Sequence, residues 1–439
     1  MPEFSVAPYR ELTFDADGDV QAGQLAAVRA LRVRDLVVFA HGWNNDRSMA
    51  TTFYDRFFAP FAALDPPGTT GYVGVLWPAM GSPHDPLPDS APRGAAGPVD
   101  AVGPALRPEL DEATRQALRT AFPDRADVVD RLARMLAEQP TNHAAFDEFG
   151  LFVRKLAEVP PRGAPASFAQ DIEAEDAAPG STDPAMLFDD PATVCRAFTD
   201  ALEELGAVPS RAREGAFGIG LDRLWDGGKE LLRQGTYYAM KRRAGTVGQL
   251  GLGPALGELA ERNPDLRIHL VGHSFGARLV SFALRGLPKS VTNVKSVTLL
   301  QGAFSHHAFA PRLPHQAGGG VLRGQERRID GPLVCCHSEH DAALKVFYPL
   351  ASRLAGDSTG LLGDDPKWGA LGYGGIKGVD GTKRLTLAQA LAGGLPKDGC
   401  VNVDAAAKVR RGGPPSGAHS DILHKELAQV VLAAGRIRA

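Results

Sequence analysis

The chain has 439 residues, more than one compact core usually holds, so it can form either one domain with large insertions or two domains. Its formal net charge is −3. The small negative charge gives no indication of a nucleic-acid partner or of an anionic membrane surface, both of which favour basic patches. The amino terminus lacks a signal-peptide pattern and no apolar run approaches the ~20 residues of a membrane span, so we expect a cytoplasmic protein without an integral membrane segment.

Two apolar runs near the amino terminus predict neighbouring strands of a parallel sheet. The first covers residues 36–40, and the second covers residues 72–77 and ends at a proline. Neither run alternates with polar residues, which is typical of strands that are buried on both faces. Aromatic residues recur at helical spacing over residues 49–63 between them, and strand, helix and strand together predict a βαβ unit.

A long segment separates these strands from the next predicted one. Within it, residues 79–107 and 159–192 have the Pro- and Ala-rich composition of loops, whereas apolar residues elsewhere recur at helical spacing. We therefore predict that residues 1–78 form the first part of an α/β core, that 79–245 form a mainly helical insertion, and that 246–439 form the rest of the core. The insertion is predicted either as a lid over a site or as a decoration.

The strongest functional motif is Val-Gly-His-Ser-Phe-Gly-Ala at residues 271–277, between a strand predicted at 267–271 and a helix predicted at 278–287. It fits the pattern Gly-x-Ser-x-Gly, in which a serine in a strained strand-to-helix turn projects its Oγ above the sheet. Side chains at Gly272 and Gly276 would collide with a neighbouring strand or helix. The motif predicts Ser274 as a nucleophile, and a chance match is the alternative.

A second motif, His41-Gly42-Trp43, ends the first predicted strand. A serine nucleophile of this kind needs two backbone N–H donors for the oxyanion, one from this loop and one from the residue after the serine. The predicted donors are Trp43 and Phe275, and His41, Gly42 and His273 are expected to line the site. A plain turn at the strand end is the alternative interpretation of the loop.

An acid should follow a later strand, since these residues occur in the chain order Ser, Asp or Glu, and His. Strands are predicted at residues 294–300 and 332–336, and the second ends in carboxylates. Asp341 is the first candidate and Glu339 the second. An acid there would hold an imidazole in the required tautomer and stabilise its charged form. A solvated loop carboxylate is the alternative.

A histidine should follow the last strand, which is predicted at residues 400–403. His419 lies in a Gly- and Pro-rich loop before a helix predicted at 422–434, where a positioned imidazole belongs, and it is the predicted base. His424 competes, but the predicted helix contains it. A structural loop histidine is the alternative for His419.

No metal or cofactor is predicted. The cysteines lack the spacing of a zinc site or of a disulfide framework, and Cys335 and Cys336 are expected to be buried in a strand. No metal-binding spacing such as HExxH occurs. Five further histidines are expected as rim or loop residues near the site: His306, His307, His315, His337 and His340.

On these motifs the chain resembles the α/β-hydrolase superfamily, in its lipase- and esterase-like group with the Gly-His-Ser-Phe-Gly elbow. The resemblance covers roughly residues 30–78 and 265–434. It implies the α/β-hydrolase fold, with a mostly parallel central sheet flanked by helices. It also implies an ester hydrolase in which Ser274 is acylated, His419 transfers the proton and Asp341 orients the histidine.

The expected substrate is a small-molecule or lipid ester. Several alternatives share the same residues: a thioesterase, an acyltransferase, a peptidase of the same fold, and a non-catalytic binding or scaffold module. Acyl specificity and oligomeric state are left open by the sequence.

Overall fold

Eight parallel strands form one sheet in the computed structural model of this chain, which describes residues 4–43, 47–65, 68–80, 109–159, 168–173, 185–204, 220, 223–314, 317–347, 369–412 and 417–437. The strands of this sheet are β1 (Tyr9–Thr13), β2 (Asp35–Ala40), β3 (Thr70–Leu76), β5 (Arg267–His273), β6 (Val294–Leu300), β8 (Pro332–His337), β9 (Lys383–Thr386) and β10 (Gly399–Asp404). Their order across the sheet is β1-β3-β2-β5-β6-β8-β10-β9. A separate antiparallel pair joins β4 (Ile172–Glu173) to β7 (Gly319–Gly320).

Helices flank the sheet. In chain order they are α1 (Gln24–Arg29), α2 (Arg47–Phe58), α3 (Phe61–Leu64), α4 (Glu112–Ala121), α5 (Ala126–Glu138), α6 (His143–Leu156), α7 (Pro191–Glu204), α8 (Leu224–Thr246), α9 (Gly253–Arg262), α10 (Phe275–Gly286), α11 (Leu371–Gly374), α12 (Leu387–Gln389) and α13 (Lys425–Gly435). No helix in the described ranges has both the length and the apolar character that crossing a membrane requires.

Both faces of the sheet are buried, in agreement with the non-alternating apolar strands. Val37 and Phe39 of β2 belong to a cluster with α2, in which the ring centroids of Phe39 and Phe57 lie 4.2 Å apart. Val38 points to the opposite face and belongs to a second cluster, with α8, α9 and α10. Successive strand residues point to opposite faces, so one strand contributes to two separate cores.

Helices α4 to α9 occupy the long segment between β3 and β5. Phe146 and Phe149 of α6 pack on Trp225 of α8, with ring centroids 4.6 and 5.3 Å apart. Helix α8 also packs against α10, and a π-helical segment, Val247–Leu252, joins it to α9. These helices and one face of the sheet therefore share one hydrophobic cluster. The predicted boundary at residue 245 falls at the end of α8.

The six predicted strands all occur, with ends within two residues of the prediction. The helix predicted from residue 278 begins earlier, at Phe275, because Ser274 alone holds the turn in a non-helical conformation, with φ 55° and ψ −120°. The helix predicted from residue 422 begins later, at Lys425, because His424 is extended (φ −111°, ψ 137°). Much of the two predicted loop segments, at 81–108, 160–167 and 174–184, lies outside the described residues.

Candidate active site

Ser274 lies between the end of β5 and the start of α10, at the carboxyl edge of the sheet. Its φ of 55° is in the left-handed region, which a residue with a side chain rarely adopts. Glycines make this turn possible: a Cβ on Gly272 would lie 2.5 Å from the backbone nitrogen of Ala277, and one on Gly276 would collide with the carbonyl oxygen of Ala40. The turn therefore holds the Ser274 hydroxyl in a fixed position beside two neighbouring elements.

Three side chains form one hydrogen-bonded chain at this edge. Oγ of Ser274 lies 2.8 Å from Nε2 of His419, and Nδ1 of His419 lies 2.8 Å from Oδ2 of Asp341. Asp341 is fully buried, whereas Ser274 and His419 retain 6% and 9% exposure. A carboxylate only accepts, so Nδ1 carries the imidazole proton and Nε2 is left as the acceptor for the serine hydroxyl.

Two further groups hold the Asp341 carboxylate. The backbone N–H of Leu344 donates to Oδ1 at 3.0 Å, and Nε2 of Gln301 lies 3.3 Å from Oδ2. Gln301 is fully buried directly after β6, with a left-handed φ of 47°, and also donates to the carbonyl of Gly372. Gln301 was not predicted from the sequence. Its position directly after the strand predicted at residues 294–300 is the sequence feature that could have indicated a place at this edge of the sheet.

The competing candidates lie outside this chain of hydrogen bonds. Glu339 is exposed. His424 lies before α13, and its Nε2 is 3.0 Å from Oδ1 of Asp421. The other oxygen of Asp421 accepts the backbone N–H groups of Arg410 and Arg411, at 2.9 and 2.8 Å. His424 thus belongs to a separate group that organises the loop before α13.

His273 fixes the loop that carries His419. Its Nε2 lies 2.9 Å from the backbone oxygen of His419, so Nε2 carries the proton and donates. Burial, with the nearby His419 as the second cause, lowers the pKa of His273 to about 3. His273 is therefore neutral at ordinary pH and positions a backbone carbonyl.

The loop of His41, Gly42 and Trp43 approaches Ser274 closely. A Cβ on Gly42 would lie 2.8 Å from Cβ of Ser274, so only glycine fits here without displacement. His41 is buried, and its backbone N–H donates to the Tyr54 hydroxyl at 3.1 Å. Trp43 is half-buried. The loop is thus anchored at His41 and adjoins the serine at Gly42.

Phe275 is the first residue of α10, so its backbone N–H has no acceptor within the helix. Its ring is buried and packs on Tyr237 of α8 at a centroid distance of 4.7 Å. The Tyr237 ring also lies edge-on to that of Trp43, at 5.6 Å. Burial raises the pKa of the Tyr237 phenol, which stays protonated and donates to the carbonyl of Ala303 at 3.3 Å. Tyr237 was not predicted.

The remaining histidines of the described ranges have different surroundings. His306 and His307 are buried with ring centroids 4.2 Å apart, whereas His340 is exposed and His315 lies outside the described residues. Within the described ranges, no group of three His, Cys, Asp or Glu side chains has an arrangement that would hold a metal ion. Cys335 and Cys336 are buried in β8, in agreement with the prediction, and all four cysteines are free.

Comparison with known proteins gave no match: no protein-family model, no curated protein and no solved structure resembles this chain at a significant level. The fold and the geometry around Ser274 are therefore the basis for assigning a function to this chain.

Proposed function

We propose that this protein is a serine hydrolase of the α/β-hydrolase superfamily that cleaves carboxylic esters through an acyl-enzyme on Ser274. The observation that carries the proposal is the continuous hydrogen-bonded chain from Ser274 through His419 to Asp341, with 2.8 Å at each step. A serine, a histidine and a buried acid in this order form an activated nucleophile. The strained turn at Ser274 supports the same conclusion, since backbone strain of this kind concentrates at functional sites.

In the first step, Oγ of Ser274 attacks the ester carbonyl carbon while its proton passes to Nε2 of His419. The Oγ–C bond forms, and the carbonyl electron pair moves onto the oxygen. As the tetrahedral intermediate collapses, the bond to the alkoxy oxygen breaks and Nε2 returns the proton to that oxygen. An alcohol leaves, and the acyl group remains on Ser274.

In the second step, water releases the acid. His419 takes a proton from the water, whose oxygen attacks the acyl carbon to form a second tetrahedral intermediate. As this intermediate collapses, the bond between the acyl carbon and Oγ of Ser274 breaks, and His419 gives the proton to Oγ. Asp341 accepts the hydrogen bond from Nδ1 and stabilises the imidazolium that forms twice in the cycle. Its full burial strengthens this interaction because water does not screen it.

The negative charge on the carbonyl oxygen needs donors in both steps. The backbone N–H of Phe275 is suited to this role because it lies at the N-terminus of α10, where the helix dipole also favours negative charge. The backbone N–H of Trp43 is the proposed second donor, supported by the close approach of Gly42 to Ser274. One such donor accounts for about 10²–10³ in kcat in serine hydrolases.

Labelling with a fluorophosphonate probe tests the proposal. We expect one probe per wild-type chain by intact mass, together with hydrolysis of short-chain esters, and neither in Ser274→Ala. Ser281→Ala is the matched control, since Ser281 is a buried serine of α10 whose hydroxyl donates to the carbonyl of Ala277 at 2.7 Å. This control should label like the wild type.

Absence of labelling in folded wild-type protein would contradict the proposal and favour a scaffold role. Labelling that survives Ser274→Ala would assign the nucleophile to another residue. A parallel panel of esters, thioesters and amides with the same acyl group measures the leaving-group preference. Faster turnover of the thioester would change the assignment to a thioesterase.

A further inference from the structure

The indole N–H of Trp43 is a buried donor without a hydrogen-bond partner. The other two tryptophans of the described ranges are satisfied by backbone carbonyls: Nε1 of Trp77 donates to His41 at 3.1 Å, and Nε1 of Trp225 donates to Pro140 at 3.3 Å. Buried donors in folded proteins are nearly always paired, so an unpaired one calls for an explanation. Of these three tryptophans, Trp43 directly follows Gly42, the residue that approaches Ser274 closely.

Trp43 belongs to a wall of three aromatic rings beside the nucleophile. Its ring centroid lies 5.6 Å from that of Tyr237 and 6.1 Å from that of Phe275. The wall is tied to the nucleophile, since Tyr237 donates to the carbonyl of Ala303 and the N–H of Ala303 donates to the carbonyl of Ser274. The polar group of Tyr237 is thus engaged, and that of Trp43 is not.

We infer that Trp43 is a specificity-determining residue whose indole N–H donates to a second oxygen acceptor of the substrate, close to the scissile ester. The inference rests on the proposed ester hydrolysis and names its substrate class. A purely hydrocarbon acyl chain leaves the N–H unpaired, whereas an acceptor oxygen satisfies it. Sites built to hydrogen-bond a substrate group discriminate strongly against analogues that lack the group.

The second acceptor can be a carboxylate oxygen as well as a neutral oxygen, since both accept a hydrogen bond from an N–H group.

Three methyl esters of equal chain length test the inference by pH-stat. They are methyl pentanoate, methyl 3-methoxypropanoate and methyl hydrogen succinate, which place a methylene, an ether oxygen or a carboxylate at the same distance from the ester. In the wild type we expect kcat/KM about 10-fold higher for the ether and for the succinate than for the pentanoate. Trp43→Phe keeps an aromatic ring and removes the N–H, and should lower both ratios to the pentanoate about 10-fold.

Ratios of kcat/KM to the value for the pentanoate cancel any effect that Trp43→Phe has equally on all three esters. Trp77→Phe is the control, because its N–H is satisfied by His41, and it should leave the ratios unchanged. Equal ratios in the wild type and in Trp43→Phe would overturn the inference while fluorophosphonate labelling of Ser274 still supports ester hydrolysis. If neither labelling nor hydrolysis occurs, the proposed function and the inference both fall.

Discussion

Nε2 of Gln301 and Nδ1 of His419 approach the same oxygen, Oδ2 of Asp341, at 3.3 and 2.8 Å. The neutral amide of Gln301 therefore donates to the same carboxylate oxygen that binds the imidazole of His419. A second donor, the backbone N–H of Leu344, holds Oδ1. With both oxygens engaged, the carboxylate has one orientation, and the imidazole it binds has one as well. Precise orientation of this kind matters because small displacements of catalytic groups lower rates steeply.

Replacing Gln301 by methionine removes this donor at nearly constant volume. A hydrogen bond to a charged group is worth about 1.5–3 kcal/mol, and partial reorientation of Asp341 should lower kcat about 10-fold. KM should change less than about twofold, because the role of Gln301 is exerted through Asp341. Gln249→Met, in the segment between α8 and α9, is the control and should retain kcat. An unchanged kcat in Gln301→Met would remove Gln301 from the site.

Asp341→Asn tests the acid itself. An amide at this position can donate to Nδ1 and favour the wrong imidazole tautomer, so kcat for a short-chain ester should fall by about 10³–10⁴. Glu339→Gln, two residues away and exposed, is the matched control and should stay within about twofold of the wild type. A loss below about 10-fold in Asp341→Asn would transfer the role to another carboxylate.

The sequence predicted much of this site because each of its three main residues follows a strand. In a parallel sheet the carboxyl ends of the strands meet at one edge, so Ser274 after β5, Asp341 after β8 and His419 after β10 were expected near one another. The structure brings these three together. Gln301, after β6, obeys the same rule. A glutamine side chain has no acid–base chemistry that a sequence motif would mark, so its contact with Asp341 is visible only in the folded structure.

Other features follow from contacts that no local pattern encodes. Helix α8 was not predicted because its glycines lower helix propensity, yet the structure uses them for close packing: a Cβ on Gly235 would lie 2.6 Å from Cγ1 of Val153. Tyr237 therefore escaped prediction together with its helix. The edge strands β1 and β9 also went unpredicted, because most of their residues are not buried and the apolar runs that identified the other strands are missing.

A buried ion cluster joins the insertion to α10, the helix that follows Ser274. Asp171 pairs with Arg278 of α10 and with Nζ of Lys241, the latter at 2.8 Å, and its Oδ2 accepts the backbone N–H of Ser305 at 3.1 Å. Arg278 is fully buried and also donates to the backbone carbonyl of Phe168. The cluster thus anchors the segment at residues 168–173, the helix after Ser274 and the loop after β6.

Asp171→Asn should destabilise the protein by about 3–5 kcal/mol, because it leaves buried cations without their carboxylate. Urea unfolding followed by intrinsic fluorescence measures this loss. Glu258→Gln is the control: it breaks an ion pair with Arg29 in which both side chains are about half exposed, at 47% and 45%. Exposed pairs contribute at most about 1 kcal/mol. Equal effects of the two substitutions would show that water screens the Asp171 cluster.

The low pKa of His273 predicts how stability depends on pH. Burial, followed by the nearby His419, lowers this pKa from 6.5 to about 3, so the folded state keeps the imidazole neutral while the unfolded state takes up a proton near pH 6.5. Between these two values the unfolded chain binds more protons, and acidification favours unfolding. The contribution of His273 to the free energy of unfolding is fully present above pH 6.5. It is lost at about 1.4 kcal/mol per pH unit as the pH falls towards 3.

His273→Gln removes the titrating group and retains an amide that can donate to the carbonyl of His419. Its free energy of unfolding should therefore fall less steeply than that of the wild type between pH 6.5 and pH 4, by about 1 kcal/mol per unit. The measurement is urea unfolding at each pH. His143→Gln, an exposed residue at the start of α6, is the control and should follow the wild-type slope. If the free energy of unfolding of His273→Gln also follows the wild-type slope, then His273 accepts a proton in the folded state. The buried hydrogen bond to His419 would then not keep the His273 imidazole neutral.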